Sequence, residues 1–195
     1  FYSLFNFNKM IIIGITGTLG AGKGTIVDFL IREKGFVHFS VRSYLTTEIS
    51  KRNLPVNRDN MVMVANELRE KHSPSFIVEQ LYKEALKTGK NCIIESIRTP
   101  GEVHALKQTG TFFLFAVDAP VNVRYDRIIK RKSETDFVSF DTFVENEKRE
   151  MTSNNPNKQN ISKCIALADY FFMNDESIEK LEQKTDAVIR NIITN

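Results

Sequence analysis

From Gly14 to Leu30 the chain reads GITGTLGAGKGTIVDFL, which sets five glycines and one lysine between two apolar runs. Glycines at that density do not belong inside a helix or a strand, where each costs backbone entropy and contributes nothing to packing. They suit a loop in which successive N–H groups converge on an anion, with the positive end of a helix dipole directly behind them. Counted from Gly17, the spacing is G-x-x-x-x-G-K, so Lys23 supplies a cation for the outer phosphates of a nucleotide. The surroundings agree: an apolar strand at residues 11–15 precedes the loop, and Ile26, Val27, Phe29, Leu30 and Ile31 give the helix after it a buried side. Gly17, Thr18, Leu19, Gly20, Ala21, Gly22, Lys23, Gly24 and Thr25 are therefore the expected phosphate-binding residues, the bland alternative being a merely flexible turn. Gly24 occupies the place after the lysine where many nucleotide hydrolases carry the Ser or Thr that holds magnesium, which leaves Thr25 as the hydroxyl at hand.

Further apolar, β-branched runs follow at residues 35–40, 91–96, 111–118 and 170–174, and segments of helical character separate them. That alternation predicts an α/β domain in which a five-stranded parallel sheet is covered by helices on both faces. Helices are expected at 25–34, 43–52, 58–71, 74–88, 101–108, 121–132, 141–151, 160–168 and 177–191. A length of 195 residues with 42% apolar residues fits one domain, residues 10–195. Lys and Arg number 27 against 24 Asp and Glu, too small an excess to indicate nucleic acid on charge alone. Cys92 and Cys164 have no metal-ligand spacing and read as reduced core thiols, which points to the cytoplasm. Residues 1–9 lack the features of a signal peptide and read as an extension or tag remnant before Met10, and no window is apolar enough for a membrane span. The Asn-rich stretch 152–160 reads as a mobile covering segment.

Carboxylates and arginines near the strand ends are the remaining candidates. Glu95 closes the run NCIIE, beside the loop if the sheet is parallel, where it can orient an acceptor or hold magnesium waters. Arg98 follows three residues later, with a planar fork suited to an acceptor phosphate. Ser40 and Arg42 fall just after the second strand, and Ser40 or Ser43 equally suits a helix N-cap. Arg69, within ANELREK, is a further acceptor candidate or else a solvated charge. Arg124, Arg127 and Arg131 share one helix face at spacings of four and three, and three like charges there call for an anion opposite them. Lys148 and Arg149 are expected to approach from the far arm of the same covering segment, residues 131–160, which has no cysteine cluster to bind zinc.

The ending GKGT resembles the P-loop of adenylate kinases and other small-molecule kinases. ESIRTP is similar to the adenylate-kinase pattern Asp-Gly-Phe-Pro-Arg-Thr, with Glu95 for the Asp and Ser96 for the Gly, and DRIIKR resembles the start of the adenylate-kinase lid. Together with ANELRE, IIESIRTPGEV and IALADYFFMN, these pieces resemble archaeal-type nucleotide-kinase-like proteins related to adenylate and dephospho-CoA kinases. The resemblance implies a three-layer P-loop NTPase fold with small acceptor-binding (about 40–88) and lid (about 131–160) segments. It implies ATP and Mg2+ as cofactors, with Thr25 and Glu95 at the metal directly or through water and Asn174 near the adenine. Lys23, Glu95, Arg127 and Arg131 become the catalytic set, with Ser40, Arg42, Arg69 and Arg98 around a small nucleotide acceptor. Two departures bear on the acceptor: Arg42-Ser43 stands where these relatives carry Ser-Asp, and Glu95 replaces an Asp. A dephospho-CoA kinase is the alternative enzyme, though it usually shows Asp-Ala-Asp after the second strand; a nucleotide-dependent switch or RNA-linked ATPase is the alternative of another class.

Overall fold

The computed structural model describes residues 10–131 and 139–194; the expected extension 1–9 and the first part of the lid, 132–138, lie outside them. Five strands, β1 (Ile12–Gly17), β2 (Val37–Ser40), β3 (Cys92–Glu95), β4 (Phe112–Asp118) and β5 (Tyr170–Met173), form one sheet in the order β2-β3-β1-β4-β5. Every pairing is parallel, as the unbroken apolar runs require of a sheet buried on both faces. The fold is the three-layer α/β arrangement of P-loop kinases.

Side-chain alternation along β1 distributes the core. Ile11, Ile13 and Ile15 face one way, packing with Ile26, Val27 and Leu30 of helix α1 (Lys23–Lys34) and with Leu181 and Ile189 of α9 (Ile178–Thr194). Ile12 faces the opposite way. It joins a second cluster built from α2 (Val41–Lys51), α3 (Arg58–Lys71), α4 (Phe76–Thr88), α5 (Pro100–Lys107) and Cys164 of α8 (Ile161–Ala166). Both cysteines are buried free thiols, as expected, and burial pushes Cys164 up to about 12. Of two further helices, α6 (Val121–Arg131) reaches the loop after β1 through Arg124, and α7 (Phe140–Met151) packs on α6. No helix among the described residues is long and apolar enough to cross a membrane.

Several boundaries differ from expectation for identifiable reasons. Helix α2 begins at Val41 rather than 43, because the side chain of Ser40 accepts a hydrogen bond from the backbone N–H of Ser43 at 3.2 Å and so caps it. Helix α5 opens one residue early on Pro100, behind a capping box in which Thr99 and Glu102 exchange hydrogen bonds. The stretch 152–160 is exposed over most of its length but tied down at its end. Gln159 and Asn160 are buried, the N–H of Asn160 donates to the Arg98 carbonyl at 2.8 Å, and its side-chain amide donates to the Ser153 carbonyl at 2.8 Å. At these two positions the polar side chains serve internal hydrogen bonding, which a hydropathy reading cannot tell from solvation.

Glycine has two different standings in the loop after β1. At Gly17 φ is +137° and an added Cβ would lie 2.0 Å from the carbonyl oxygen of Val117 on the neighbouring strand, whereas an added Cβ at Gly24 meets nothing within 4 Å. Gly17→Ala is therefore expected to cost about 3 kcal/mol or more, on the order of 10 °C in Tm, while Gly24→Ala holds or gains up to about 1 kcal/mol. Thermal denaturation of the two variants beside the wild type checks the contrast.

Candidate functional site

The loop between β1 and α1 is held by its carbonyl groups. Lys23 Nζ donates to the carbonyls of Gly17 (3.0 Å) and Thr18 (2.7 Å), Arg124 Nη1 to that of Leu19 (3.3 Å), and Asn174 Nδ2 to that of Ala21 (2.7 Å). In a trans peptide the next N–H points opposite to its carbonyl, so fixing the oxygens of Leu19 and Ala21 turns the N–H groups of Gly20 and Gly22 the other way. Helix α1 follows with no side-chain cap at Gly22; the Thr25 N–H donates to the Gly22 carbonyl at 3.1 Å, and those of Lys23 and Gly24, with the helix dipole, are left open to an anion. Gly22 itself is needed by the clamp, since its φ is +104° and a Cβ there would lie 2.2 Å from Asn174 Nδ2. Thr18 Oγ1 donates to Asp118 Oδ1 at 2.5 Å, fixing the loop to the end of β4 as well.

A cavity of about 450 Å³ opens in front of this loop. Lys23, Gly24 and Thr25 line it from the loop side, Glu95 and Arg98 from the end of β3, and Ser40 and Arg42 from the start of α2. Burial lowers the Lys23 ammonium from the usual lysine range to about 8, with the nearby Arg98 adding to the effect against Glu95 and Glu150. An anion placed beside Lys23 would raise its pKa again. Glu95 lies within 3.1 Å of His38 Nε2 on β2. Burial alone would raise its pKa, but the His38 contact and the charge of Lys23 outweigh that and hold the carboxyl below its ordinary value. After Glu95 the chain turns through Ser96 at φ +73°, a left-handed conformation for which the resembling kinase pattern carries Gly. The N–H groups of Ser96 and Ile97 both donate to the Ile15 carbonyl at 3.0 Å and hold the turn.

On the acceptor side the structure rearranges the expected roles. Arg69 is 2% exposed, and its Nη2 and Nε donate to Glu102 Oε1 at 2.8 and 3.2 Å. The other Glu102 oxygen accepts from the backbone N–H groups of Arg98 (2.7 Å) and Thr99 (3.0 Å). Most of Arg69 is thus committed to an internal ion pair that positions the Arg98 backbone, and only Nη1, buried without a protein partner, is left over at the cavity. Ser40 is a helix cap that also faces the cavity, and Arg42 is exposed at its rim. Arg98 Nη1 donates to Glu150 Oε2 and Gln159 Oε1, each at 2.7 Å, and Arg58 Nη2 donates to Glu150 Oε1 at 2.5 Å.

The covering helices bring a correction. Arg124, one of the three expected lid cations, is buried: its guanidinium donates to both carboxylate oxygens of Glu147 and to the carbonyl of Ala119. It is scaffold for the loop. Arg127 and Arg131 do line the cavity; Arg127 Nη2 donates to the Asn174 carbonyl at 3.0 Å while its Nη1 is buried without a protein partner. From the far arm Lys148 and Arg149 do not arrive, both being exposed, with Arg149 turned to Asn146. The inner face of α7 carries Phe143, Glu147 and Glu150 instead, at helical spacings of four and three. Phe143 packs against Tyr125 and under the Arg124 guanidinium, and so sets the two carboxylates against arginines. Arg58, His38, Asp118, Glu147, Glu150 and Gln159 were all missed in the sequence. Asp118 ends a strand just as Glu95 does, and the Phe143-Glu147-Glu150 stripe is readable at helical spacing; nothing local marks the others.

This geometry can be compared with known proteins. The model of the AAA domain family matches residues 13–153. A UPF0200 protein of Methanococcus vannielii is 32% identical over 189 residues, covering 95% of this chain and 98% of the relative. The chain belongs to the AAA domain family and to the UPF0200 proteins. Another UPF0200 protein, from Pyrococcus abyssi, is 28% identical over 93% of this chain and 97% of its own. Among solved structures, a shikimate kinase from Bacteroides thetaiotaomicron superposes with a TM-score of 0.56 at 15% identity, covering 93% of this chain and 99% of that one. A sugar kinase from Janibacter superposes with a TM-score of 0.54 at 13% identity, covering 93% and 95%. At those identities the likeness is one of fold, the fold of P-loop kinases.

The Lys23 environment yields a measurable consequence. With a pKa near 8 in the free protein, Lys23 is about half neutral at pH 8, and an anion beside it raises the pKa again. Binding of ADP at pH 8 should therefore take up about half a proton, falling toward none at pH 6.5, where Lys23 is already charged. Calorimetry in buffers of different ionisation enthalpy measures the uptake, and Lys23→Met should abolish it.

Proposed function

We propose that this UPF0200 chain is an ATP-dependent phosphotransferase that moves the γ-phosphoryl group to a small acceptor, most plausibly a nucleoside monophosphate. The observation that carries the reading is the single cavity shared by the two ends of such a reaction. The phosphate loop with Lys23 and Thr25 forms one side of it, and Arg98 with the apolar Leu45, Met61 and Ala65 forms the other. In this reading the N–H groups of residues 20–25 and Lys23 cradle the donor phosphates, and Asn174 keeps the loop in shape beside the adenine. Ser40, Arg42, Arg98 and the spare Nη1 of Arg69 meet the acceptor, on which Arg98 grips a phosphate.

Arg127 and Arg131 then spread the charge that develops on the equatorial oxygens in the transition state, a contribution on the order of a thousandfold where such arginines have been removed from kinases and GTPases. The bond from an acceptor oxygen to the γ-phosphorus forms as the bond to the β-bridging oxygen breaks, and ADP leaves with no covalent enzyme intermediate. The hydroxyl of Thr25 and the carboxylate of Glu95 are hard oxygen donors facing the same cavity, which suits Mg2+. Such an ion, held by these groups directly or through water together with phosphate oxygens, would neutralise charge on the transferred group. His38 orients Glu95 for that task, or for accepting a hydrogen bond from the acceptor. In this reading the described part of the expected lid, residues 139–160, covers the transfer and keeps water from it.

A coupled assay of ADP release across the nucleoside monophosphates and dephospho-CoA tests the reading. Acceptor-dependent ADP from one of the monophosphates is expected, and dephospho-CoA as sole acceptor would replace it with the second enzyme. ADP formation that ignores every small acceptor and responds to RNA or protein would instead make the protein a switch or a nucleic-acid-linked ATPase. Lys23→Ala is expected to abolish turnover, by about a thousandfold or more, with an unchanged far-UV spectrum; full activity in that variant would remove the loop from the chemistry.

A further inference from the structure

The acceptor end of the cavity holds a carboxylate with no part in the reaction proposed above. Glu150, in the last turn of α7, places one oxygen on Arg58 (2.5 Å) and the other on Arg98 (2.7 Å), while Gln159 takes a second bond from Arg98. One anionic group bridging two arginines from different elements is the arrangement a bound phosphate or carboxylate ligand would make. The two arginines open on the cavity, with side chains 26% and 27% exposed, whereas Glu150 is 10% exposed. We propose that Glu150 is an internal stand-in for the acceptor's anionic group, and that the true acceptor is a phosphate monoester whose dianion displaces Glu150 from Arg58 and Arg98. This rests on the phosphotransferase reading and narrows it, since a neutral polyol or nucleoside cannot make the exchange.

Three features favour exchange over a fixed bracket. Arg58 and Arg98 are each about a quarter exposed toward the cavity, so a competing anion can reach both guanidinium groups while Glu150 still holds them. A monoester phosphate brings more charge and one more oxygen than a carboxylate, enough to bond both faces of Arg98 and still reach Arg58. Finally, the anchors of α7, Phe143 and the Glu147–Arg124 pair, lie about two turns and one turn before Glu150, so its carboxylate can swing away at the helix end without unseating the helix. While it bridges the arginines, Glu150 is held in its charged form. Burial opposes its charge, but Arg98 and Arg58 outweigh that and hold it below its ordinary value. The same exchange makes Arg58 a specificity residue, because it contacts the acceptor only when Glu150 has left.

The test is equilibrium binding, separate from turnover. With the phosphate loop filled by a nonhydrolysable ATP analogue and Mg2+, AMP, inorganic phosphate and adenosine are titrated into the wild type and into Glu150→Gln. Glu150→Gln keeps the shape and a hydrogen bond to Arg98 but removes the competing charge, so AMP and phosphate should bind about tenfold tighter, with adenosine unchanged. Arg58→Gln should cancel that gain. In steady state the AMP KM should fall in Glu150→Gln while the ATP KM stays constant. Thermal melts add a readout that needs no nucleotide: phosphate should raise the Tm of Glu150→Gln more than that of the wild type, because it restores the missing counter-charge. Weaker or unchanged AMP and phosphate binding in Glu150→Gln, or no phosphate binding by either protein, overturns the proposal and makes Glu150 a fixed bracket. Failure of the kinase reading shows separately, as absence of AMP-dependent ADP release in a protein that still binds AMP.

Discussion

The structure depends on a short stretch of backbone whose oxygens are bound by the protein, which turns the N–H groups of Gly20 and Gly22 outward. Four carbonyls of the glycine-rich loop are taken by Lys23, Arg124 and Asn174, side chains from three separate elements. Each of those ties constrains something else. Arg124 must be buried and neutralised, which brings in Glu147 and so α7. Asn174 must sit against Gly22, which fixes the end of β5, and its own carbonyl then holds Arg127 over the cavity. An anion site made of peptide groups is cheap in sequence but demanding in architecture, because peptides cannot aim themselves.

A second buried centre plays the matching part on the other side of the cavity. Glu102 is fully buried and receives hydrogen bonds from Arg69 and from the backbone of Arg98 and Thr99. A buried pair of this kind is a poor source of stability, yet removing one member is severe, on the order of 3–5 kcal/mol, because the other is stranded. Its value here is directional. The backbone of Arg98 leaves β3 at one fixed angle, and the guanidinium enters the cavity from there.

How far the sequence carried the site follows from the range of the interactions involved. The loop was readable because its function resides in contiguous backbone, and the strands because both faces of a parallel sheet are apolar. Glu95 was readable as a carboxylate at a strand end. The ion pair that holds Arg69 was not readable, because a lone arginine on a charged helix looks the same whether it meets water or Glu102, 33 positions away. Glu150 and Arg58 were invisible for the same reason, being 92 positions apart and meaningful only as a pair. The far arm of the lid was read by charge, as Lys148 and Arg149, when the helical phase set by Phe143 turns the neighbouring carboxylates inward. Position 159 was lost in an Asn-rich run that is mostly exposed until its last two residues, Gln159 and Asn160, turn their amides into the protein.

The clamp from Asn174 to the carbonyl of Ala21 spans 153 positions, nearly the whole chain. During synthesis, the loop and its lysine leave the ribosome early and lie without that clamp until β5 has emerged and paired with β4. A nascent chain therefore has the residues for binding a nucleotide long before it has the shape. Nucleotide affinity is in this sense a late property of the polypeptide, acquired when its end closes back on its beginning, and a chain ending before Asn174 would keep the motif and lose the grip.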